Sequence, residues 1–315
     1  MTQSNPSAFV LVGPTASGKS AVAQCIAEKT GAPIISADSM NIYRGMDIGT
    51  AKPSAAERSR VKTWGIDLAE PTEPFSVGDW LKAVTPAFFQ PLENKTGGGS
   101  ASPIVVGGTG LYVRCLLQGL DDLPLADEAL RARTEKMPLA ELQAEARRTA
   151  PEAYEALADK ENPRRLIRLL EQSCRPGDLT RRNWKTEMPA VIGLHVERDM
   201  LNRQIAERVE KMYAGGLLEE ARGLAGRELS STAQHAIGYA EAFAVLRGEM
   251  TEAQAKEKTV VRTRQLSKRQ MTWFRHQLKV EWIETADFSS IGKLADKVYN
   301  AWKEGGSVPL AGIRL

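Results

Sequence analysis

The residues with the clearest chemical potential lie at positions 13–20, where the chain reads Gly-Pro-Thr-Ala-Ser-Gly-Lys-Ser. This stretch fits the G-x-x-x-x-G-K-S phosphate-loop pattern, in which backbone N–H groups converge on an anion. Lys19 adds a positive charge for phosphate oxygens, and the Ser20 hydroxyl can bind Mg²⁺. The pattern predicts a diphosphate or triphosphate site with Mg²⁺ as cofactor, formed by Gly13, Pro14, Thr15, Ala16, Ser17, Gly18, Lys19 and Ser20.

Two further candidate side chains follow predicted strands. Asp38 comes after the apolar run 33–36, and Thr109 lies in the Gly-Gly-Thr-Gly turn after the run 103–106. Open α/β sheets bind ligands at the carboxyl ends of their strands, where a carboxylate can hold Mg²⁺ or accept a proton. A turn-capping role is the alternative for Asp38, and a simple tight turn is the alternative for the glycine segment. That segment has no metal-holding aspartate, so it favours close approach of a substrate over activation of water.

The elements that must position these residues alternate between strand and helix. Residues 8–12 predict a strand, residues 21–27 predict a helix, and further helices are predicted over 79–92, 200–225 and 251–279. We therefore expect a phosphate-loop, three-layer α/β core with a parallel sheet over residues 1–120 and 189–315. Residues 121–188 are rich in Ala, Leu, Glu and Arg, and this composition predicts an all-helical insertion. The last thirty or so residues carry no chemical signal.

Composition indicates the compartment, and local charge indicates the partner. The polar first residues and the lack of a long apolar run predict neither a secretory signal nor a membrane helix. Three cysteines without metal-ligand spacing favour a reduced, cytoplasmic setting. The net charge is +3, yet the stretch 258–279 holds seven Lys or Arg and no acid, and the stretch 160–185 holds eight against three acids. Such clusters predict a polyanionic partner, and two of them beside a phosphate site predict a folded nucleic acid.

The helix predicted within 251–279 has two faces by its spacing. One is a packing stripe of Val260, Ser267, Met271, Phe274 and Leu278. The other is a polar row typical of contacts to a phosphodiester backbone, and it comprises Arg262, Gln265, Arg269, Thr272, His276 and Lys279. Separately, a leaving phosphate requires a cationic clamp, for which periodicity leaves Arg198, Arg203 and Arg208 as equal candidates.

Several motifs in fixed order give the chain a family resemblance. They are the phosphate loop, Ser36-Ala37-Asp38-Ser39-Met40, the segment Tyr43 to Pro53, Val106 to Tyr112, Asn162-Pro163-Arg164-Arg165-Leu166 and the run Thr263 to Arg275. Together they resemble the tRNA dimethylallyltransferases, also called tRNA isopentenyltransferases, over nearly the whole chain. The resemblance implies that dimethylallyl diphosphate replaces a nucleotide on the phosphate loop. N6 of the adenosine on the 3′ side of the anticodon would attack the allylic carbon, and diphosphate would leave.

The resemblance also implies roles for individual residues. Asp38 would be the base for N6, Lys19, Ser20 with Mg²⁺ and Arg208 would hold the diphosphate, and Thr109 would line the reaction channel. The implied tRNA contacts are Asp38, Ser39, Met40, Asn41, Thr109, Arg131, Arg164, Arg165, Leu166, Ile167, Arg168, His235, Ala236, Ile237, Gly238, Tyr239, Ala240, Lys268, Arg269, Gln270, Met271, Thr272, Trp273, Phe274 and Arg275. Asn41 replaces a common Gln, and Ala240 replaces a common Arg or Lys. The compact bacterial type of the family and a monomer are expected.

Two other classes of function remain open at this level. A small-molecule phosphate-loop kinase would turn over ATP and would have little use for the basic run 258–279. An RNA-binding module with a vestigial phosphate loop would bind RNA without turnover, although the intact Lys19, Ser20 and Asp38 argue against it.

Overall fold

The apolar runs of the sequence form a parallel sheet in the computed structural model, which describes residues 6–90, 102–120, 128–173 and 188–313. The chain divides into two compact units. One comprises Met1–Gly119 with Glu187–Leu315, and the other comprises Leu120–Thr186. These boundaries differ from those expected from the sequence by one or two residues.

The first unit contains every strand of the described residues. The strands are β1 (Ser7–Val12), β2 (Ile34–Ser36), β3 (Thr63–Trp64), β4 (Ile104–Gly107), β5 (Val191–His195), β6 (Val280–Glu284) and β7 (Val308–Pro309). Six of them lie in the order β3-β2-β4-β1-β5-β6 with parallel pairing throughout, and β7 pairs antiparallel with β1. The predicted α/β fold with a parallel sheet is confirmed.

Helices flank this sheet. Those of the first unit are α1 (Lys19–Thr30), α2 (Ala55–Arg60), α3 (Val77–Val84), α4 (Gly110–Gln118), α9 (Arg198–Ala214), α10 (Leu217–Leu224), α11 (Ser231–Gln234), α12 (Tyr239–Leu246), α13 (Glu252–Gln277) and α14 (Ile291–Gly305). The described part of the second unit contains helices only, namely α5 (Glu128–Thr134), α6 (Leu139–Thr149), α7 (Pro151–Glu155) and α8 (Pro163–Ser173). Its core is a cluster of apolar side chains that includes Leu142, Ala146, Leu166 and Leu170.

The core of the first unit lies on both faces of the sheet because alternate strand residues point to opposite sides. On one face, Leu11 and Ile104 pack with Ile26 of α1 and Val298 of α14. On the other face, the Trp80 ring of α3 lies 4.8 Å from the Tyr112 ring of α4, and Trp80 Nε1 donates to Ser36 O at 3.0 Å. Burial of each large apolar side chain contributes roughly 1.5–3 kcal/mol. The C-terminal segment, which carried no chemical signal, thus completes the sheet and one of its helical layers.

Two predicted helices end earlier than expected. The helix predicted over 79–92 becomes α3 and a 3-10 helix, Thr85–Phe88, because Pro86 has no N–H to continue the α-helical pattern. Residues 91 and 92 lie outside the described part. The helix predicted over 200–225 is two helices, α9 and α10, separated at Gly215 and Gly216. Gly216 adopts φ +98°, a left-handed conformation that an α-helix cannot include.

The long basic helix is confirmed as α13. It begins with a capping box in which the Thr251 side chain accepts from Gln254 N and the Gln254 side chain accepts from Thr251 N. Its predicted stripe faces the protein, where Ser267 and Phe274 are buried, and Thr263 joins them.

Strand register brings the candidate loops to one edge of the sheet. Val12 pairs with Gly107 of β4 and with Gly193 of β5, while Ser36 pairs with Val106. The segments that follow β1, β2 and β4 therefore leave the sheet side by side, at its carboxyl edge.

Candidate active site

The phosphate loop connects β1 to the first turn of α1, and its backbone conformation requires small residues. Ala16 and Gly18 both adopt the left-handed conformation, with φ of 66° and 82°. A Cβ at Gly13 would lie 2.9 Å from Ser17 Oγ and 3.3 Å from Leu194 O, so a larger residue here would require both neighbours to shift. A left-handed alanine is strained, and such strain concentrates where loops bind ligands. The backbone is therefore bent around the N-terminus of α1, as anion binding requires.

Two desolvated cations, Lys19 and Arg208, lie at this loop. The Lys19 ammonium donates to Pro14 O at 3.1 Å. Desolvation lowers the pKa of Lys19 from 10.5 to about 8, with Asp38 opposing that change and Arg208 adding to it. Desolvation also lowers the pKa of the Arg208 guanidinium, again against the attraction of Asp38. The structure thus brings Lys19, Arg208 and Asp38 into one electrostatic cluster.

Asp38 is engaged with its own turn through one oxygen. Its Oδ1 accepts from Met40 N at 2.9 Å, which is the turn-capping role considered above. Among the described residues, none donates to Oδ2. The capping and functional roles are therefore compatible, since one oxygen fixes the carboxylate and the other stays available for chemistry.

Thr109 connects the glycine turn to the segment that carries Asp38. Its Oγ1 accepts from Ser39 N at 3.0 Å and lies 3.3 Å from Ser39 Oγ, while Thr109 N donates to Ala37 O at 3.1 Å. A Cβ at Gly107 would overlap the Ala37 carbonyl, so this close approach requires glycine. Thr109 is therefore held in a fixed position beside Asp38.

Asn41 presents an acceptor with no protein donor. Its Nδ2 donates to Ser36 Oγ at 3.3 Å, whereas its buried Oδ1 has no hydrogen-bond partner among the described residues. A buried carbonyl oxygen without a donor is costly and is found mainly where a ligand completes the set. This observation supports the predicted binding role of Asn41.

Gln270, predicted as an RNA contact, reaches the phosphate loop. Its side chain comes from α13, accepts from Thr15 N at 2.8 Å through Oε1, and donates to Gly108 O at 3.0 Å through Nε2. One turn further, the Trp273 ring packs against Gly110, where a Cβ would overlap it. The helix is thus fastened to two of the site's loops by side chains for which the resemblance implies contact with tRNA.

Glu220 is a site residue that the sequence reasoning missed. From α10 it accepts hydrogen bonds from the backbone N–H groups of Asp47, Ile48 and Gly49, at 3.0 to 3.3 Å, and from Tyr239 Oη. This loop leads to Thr50, whose carbonyl accepts from Arg208 Nη2 at 3.4 Å. Glu220 therefore holds the loop that supports Arg208, and no sequence signal connects positions so far apart.

Lys52 holds another part of the segment 43–53 in place through ion pairs and a hydrogen bond. Its ammonium is fully buried and donates to Asp47 Oδ1 at 2.7 Å, to Asp67 Oδ1 at 2.6 Å and to Tyr43 O. Arg58 donates to the other oxygen of Asp67 at 2.6 Å. The Lys52 and Arg58 cations lower the pKa of Asp67 against the opposing effect of burial. The network fixes the segment between β2 and β3.

The exposed face of α13 keeps a positive charge. Lys268, Arg269 and Arg275 are exposed, and within the described part of the chain they form no ion pair. Thr272 lies with them, while Phe274 is fully buried and Met271 and Trp273 are partly buried. The predicted RNA contacts of this helix thus divide into an exposed basic group and a group that packs inside.

Arg262, expected in the exposed polar row, is instead paired. Its Nη1 donates to the buried Glu241 carboxylate at 2.5 Å, and its Nη2 donates to His235 O at 2.9 Å. The segment 235–240 is held from the same side, since Glu241 accepts from Gly238 N at 2.9 Å. His235 is exposed, Ile237 and Ala240 are partly exposed, and Ala236, Gly238 and Tyr239 are buried. The side chains available for RNA here are fewer than the predicted set.

The predicted RNA residues of the second unit show a similar division. Arg131 and Arg168 share the buried Glu171 carboxylate, with distances of 2.8 Å each. Arg164 and Arg165 are exposed at the start of α8, whereas Leu166 and Ile167 are buried in its core. Two cations sharing one anion leave an excess of one positive charge at this group of three side chains. The basic residues predicted from 175 to 185 lie outside the described residues.

A cavity of about 740 Å³ opens beside the phosphate loop. Ala16, Ser17 and Gly18 form one wall, Glu207, Arg208 and Lys211 of α9 form a second, and Phe288 with Ile291, the first residue of α14, form a third. The cavity combines anion-binding groups with apolar side chains, so it suits a ligand with a phosphate end and a hydrocarbon end.

The donor set fits Mg²⁺ bound mainly through a phosphate ligand. Ser20 supplies a hydroxyl oxygen at the loop, and Asp38 supplies a carboxylate nearby. No group of three His, Cys, Asp or Glu side chains suited to a metal occurs in the ranges that the structure describes. One or two protein oxygens, with water and phosphate completing the shell, is the usual arrangement for Mg²⁺.

A phosphate loop after the first strand of a parallel sheet defines the chain as a phosphate-loop α/β protein. The IPP transferase family model matches residues 41–277, and the isopentenyl transferase model matches residues 6–66. The tRNA dimethylallyltransferase 1 of Citrifermentans bemidjiense is 42% identical over 285 residues, which span 88% of this chain and 91% of that protein. The chain belongs to the IPP transferase family.

Solved structures agree with this assignment. The full-length tRNA isopentenylpyrophosphate transferase of Bacillus halodurans is 33% identical, with a TM-score of 0.66 over 95% of this chain and 98% of that one. A eukaryotic dimethylallyltransferase acting on tRNA shares the fold, with a TM-score of 0.74 at 19% identity over 96% of this chain and 80% of that one. Within the described residues, no helix is both long enough and apolar enough to span a bilayer.

Proposed function

We propose that this protein transfers the dimethylallyl group of dimethylallyl diphosphate to N6 of the adenosine on the 3′ side of the anticodon in tRNA. Diphosphate is the second product. The observation that carries the proposal is the cluster of Lys19, Arg208 and Asp38, which places anion-binding cations and a carboxylate in one site. Family membership over most of the chain supports the substrate pair.

The reaction forms a bond from N6 to the allylic carbon and breaks the bond from that carbon to oxygen. The adenine amine is a weak nucleophile because its lone pair is delocalised into the ring, so it needs a base. Asp38 accepts the N6 proton through Oδ2 while Oδ1 keeps the carboxylate fixed on Met40 N. The electron pair of the broken bond leaves with diphosphate.

The departing diphosphate is stabilised by groups already desolvated. Lys19, the backbone N–H groups of the loop and Arg208 face the charge that develops on the leaving oxygen. Ser20 would hold Mg²⁺ at this point, and the bound ion would supply further positive charge to the phosphate oxygens. Removal of one such donor from a preorganised site typically costs about 10²–10³ in rate.

The target base reaches the site by leaving the anticodon stack, as enzymes acting on a base require. Lys268, Arg269 and Arg275 on the exposed face of α13 contact the RNA backbone, with Arg164 and Arg165 on the second unit. Asn41 Oδ1 is a buried acceptor suited to an N–H of the extruded base. We also propose that the protein is cytoplasmic and monomeric. Analytical ultracentrifugation tests the monomeric state.

One incubation separates this proposal from the alternatives. The protein is mixed with unmodified tRNA, dimethylallyl diphosphate and Mg²⁺, and nucleosides from the digested tRNA are weighed by mass spectrometry. Adenosine gaining one dimethylallyl group at the position 3′ of the anticodon supports the proposal. ATP-dependent phosphorylation of a metabolite would instead indicate a kinase, and tRNA binding without product would indicate a binding module. A tRNA with another base at that position is the matched control.

A further inference from the structure

We infer that Gln270 is a positioning residue, which holds the phosphate loop in register with the turn that carries Thr109. The inference rests on the proposed function and adds a role that differs from contact with RNA. Its basis is the pair of hydrogen bonds from one side chain to two loops that are distant in sequence, Thr15 N to Oε1 at 2.8 Å and Nε2 to Gly108 O at 3.0 Å.

Neighbouring residues pack closely around the Gln270 amide and around the part of α13 that carries it. A Cβ at Gly108 would lie 2.5 Å from Gln270 Nε2, so a side chain at position 108 would displace the amide from this place. The neighbouring Trp273 packs on Gly110, and Arg114 Nη1 donates to Gln277 Oε1 at 2.6 Å. These contacts fix α13 on the start of α4, so Gln270 approaches the two loops from a rigid support.

The two loops carry opposite halves of the proposed reaction. The phosphate loop holds the donor through Lys19, and the glycine turn holds Thr109, which binds Ser39 N beside Asp38. No other side chain of the described residues hydrogen-bonds to both loops. The paired strand ends Val12 and Gly107 bring the two loops together, and beyond that point the Gln270 amide is the side chain that sets their separation.

The amide also suits its position chemically. Thr15 N–H is a donor and Gly108 O is an acceptor, and a primary amide is the neutral side chain that satisfies both at once. Glutamate would place a second acceptor against the Gly108 carbonyl and a negative charge near the diphosphate. Methionine has similar length and volume but can make neither hydrogen bond, so it removes the link with little change in packing.

The chain thus uses one turn of α13 for two purposes. Arg269 is exposed toward solvent, while Gln270 points inward to the loops. An RNA contact at position 270 would be lost together with RNA affinity. A positioning role predicts loss of turnover with RNA affinity retained, and this difference is measurable.

The test compares Gln270→Met with Gln90→Met, whose glutamine is exposed in a segment that neither the site nor the basic face of α13 includes. Turnover is measured at saturating tRNA and dimethylallyl diphosphate, tRNA affinity by filter binding, and inorganic pyrophosphate affinity and stoichiometry by calorimetry. The stoichiometry counts folded sites, so a fall in kcat cannot be attributed to unfolded protein. We expect kcat of Gln270→Met to fall on the order of 10- to 100-fold, since a misplacement of about 1 Å can cost about 10²-fold.

Each result decides the question. A lower kcat with unchanged tRNA affinity and pyrophosphate stoichiometry supports the positioning role. Unchanged kcat overturns it, and so does a loss confined to tRNA affinity, which would restore the RNA-contact role. If Gln270→Met does not fold, Gln270→Asn replaces it under the same criteria, because its amide is one methylene too short to span both loops. Absence of any product from the unmodified enzyme would refute the proposed function itself, a separate outcome.

Discussion

The charge on Lys19 makes diphosphate binding depend on pH in a direction that the structure determines. Burial lowers the pKa of Lys19 to about 8 in the donor-free protein. An anion on the loop binds the protonated form, so the pKa of Lys19 is higher in the complex than in the free protein. The affinity for a diphosphate is therefore highest below the pKa that Lys19 has in the free protein. It falls as the pH rises above about 8 and stops falling at the pKa that Lys19 has in the complex.

The size of the effect follows from the same value. One unit above the free pKa, roughly 90% of Lys19 is neutral, and the affinity for a diphosphate falls about tenfold, equal to about 1.4 kcal/mol. The stability of the donor-free protein changes in the opposite direction. Between about 8 and 10.5 the unfolded chain binds more protons at this lysine than the folded chain, so the free energy of unfolding rises with pH over that window.

Calorimetric titration with inorganic pyrophosphate tests this prediction from about pH 7 to about pH 9.5 at constant Mg²⁺. Pyrophosphate ionises over part of that range, so a control is needed that keeps this contribution. Lys19→Arg carries a guanidinium that does not titrate there, and its pH profile contains the ionisation of the ligand alone. The difference between the two profiles isolates Lys19. Parallel profiles for the two proteins would refute the assignment of Lys19 as a titrating anion ligand.

Three more substitutions test separate parts of the site. Asp38→Asn keeps an acceptor for Met40 N but removes the base, so the rate of transfer should fall by about 10²–10⁴ with tRNA affinity retained. A quench-flow assay measures that rate. Unchanged turnover would show that Asp38 only caps its turn. Glu220→Gln disturbs the acceptor of several backbone N–H groups and should lower the free energy of unfolding in urea by about 1–3 kcal/mol, whereas the exposed Glu219→Gln should change it little. Arg269→Ala should weaken tRNA binding and reduce the salt slope by about 1, with exposed Lys297→Ala on α14 as the charge-matched control; equal effects of both would show general attraction rather than a contact at α13.

The local parts of the site were predictable because their signals are contiguous. The phosphate loop, the strand before it and the helix after it occupy one short stretch, so spacing and glycine content suffice to define them. The position of Asp38 followed from the parallel sheet, since the carboxyl ends of neighbouring strands meet at one edge. The helix α13 and its buried stripe followed from the period of 3.6 residues.

The parts that escaped prediction join residues far apart in the chain. The spacing of α13 places Gln265 in the polar row, where it is exposed, but it does not identify the phosphate loop as the partner of Gln270. The pairing of Arg262 with Glu241 depends on how α12 and α13 pack, and this removed a predicted cation from the exposed row. Glu220 was not predicted because its hydrogen-bond partners, the N–H groups of residues 47–49, lie far from it in sequence. Periodicity assigns a residue to a face, but the partner across that face is set by tertiary structure.

Lys52 and Lys19 of the first unit show how geometry separates a structural role from a functional one. Lys52 is paired with Asp47 and Asp67 and with a backbone carbonyl, so its charge is fully compensated and it fixes a loop. Lys19 is desolvated beside another cation, Arg208, and its direct hydrogen-bond acceptor is the Pro14 carbonyl. A site with two desolvated cations and one nearby carboxylate is unfavourable until an anion arrives. A protein retains such an uncompensated charge where a ligand completes it, so the excess charge itself points to an anionic ligand.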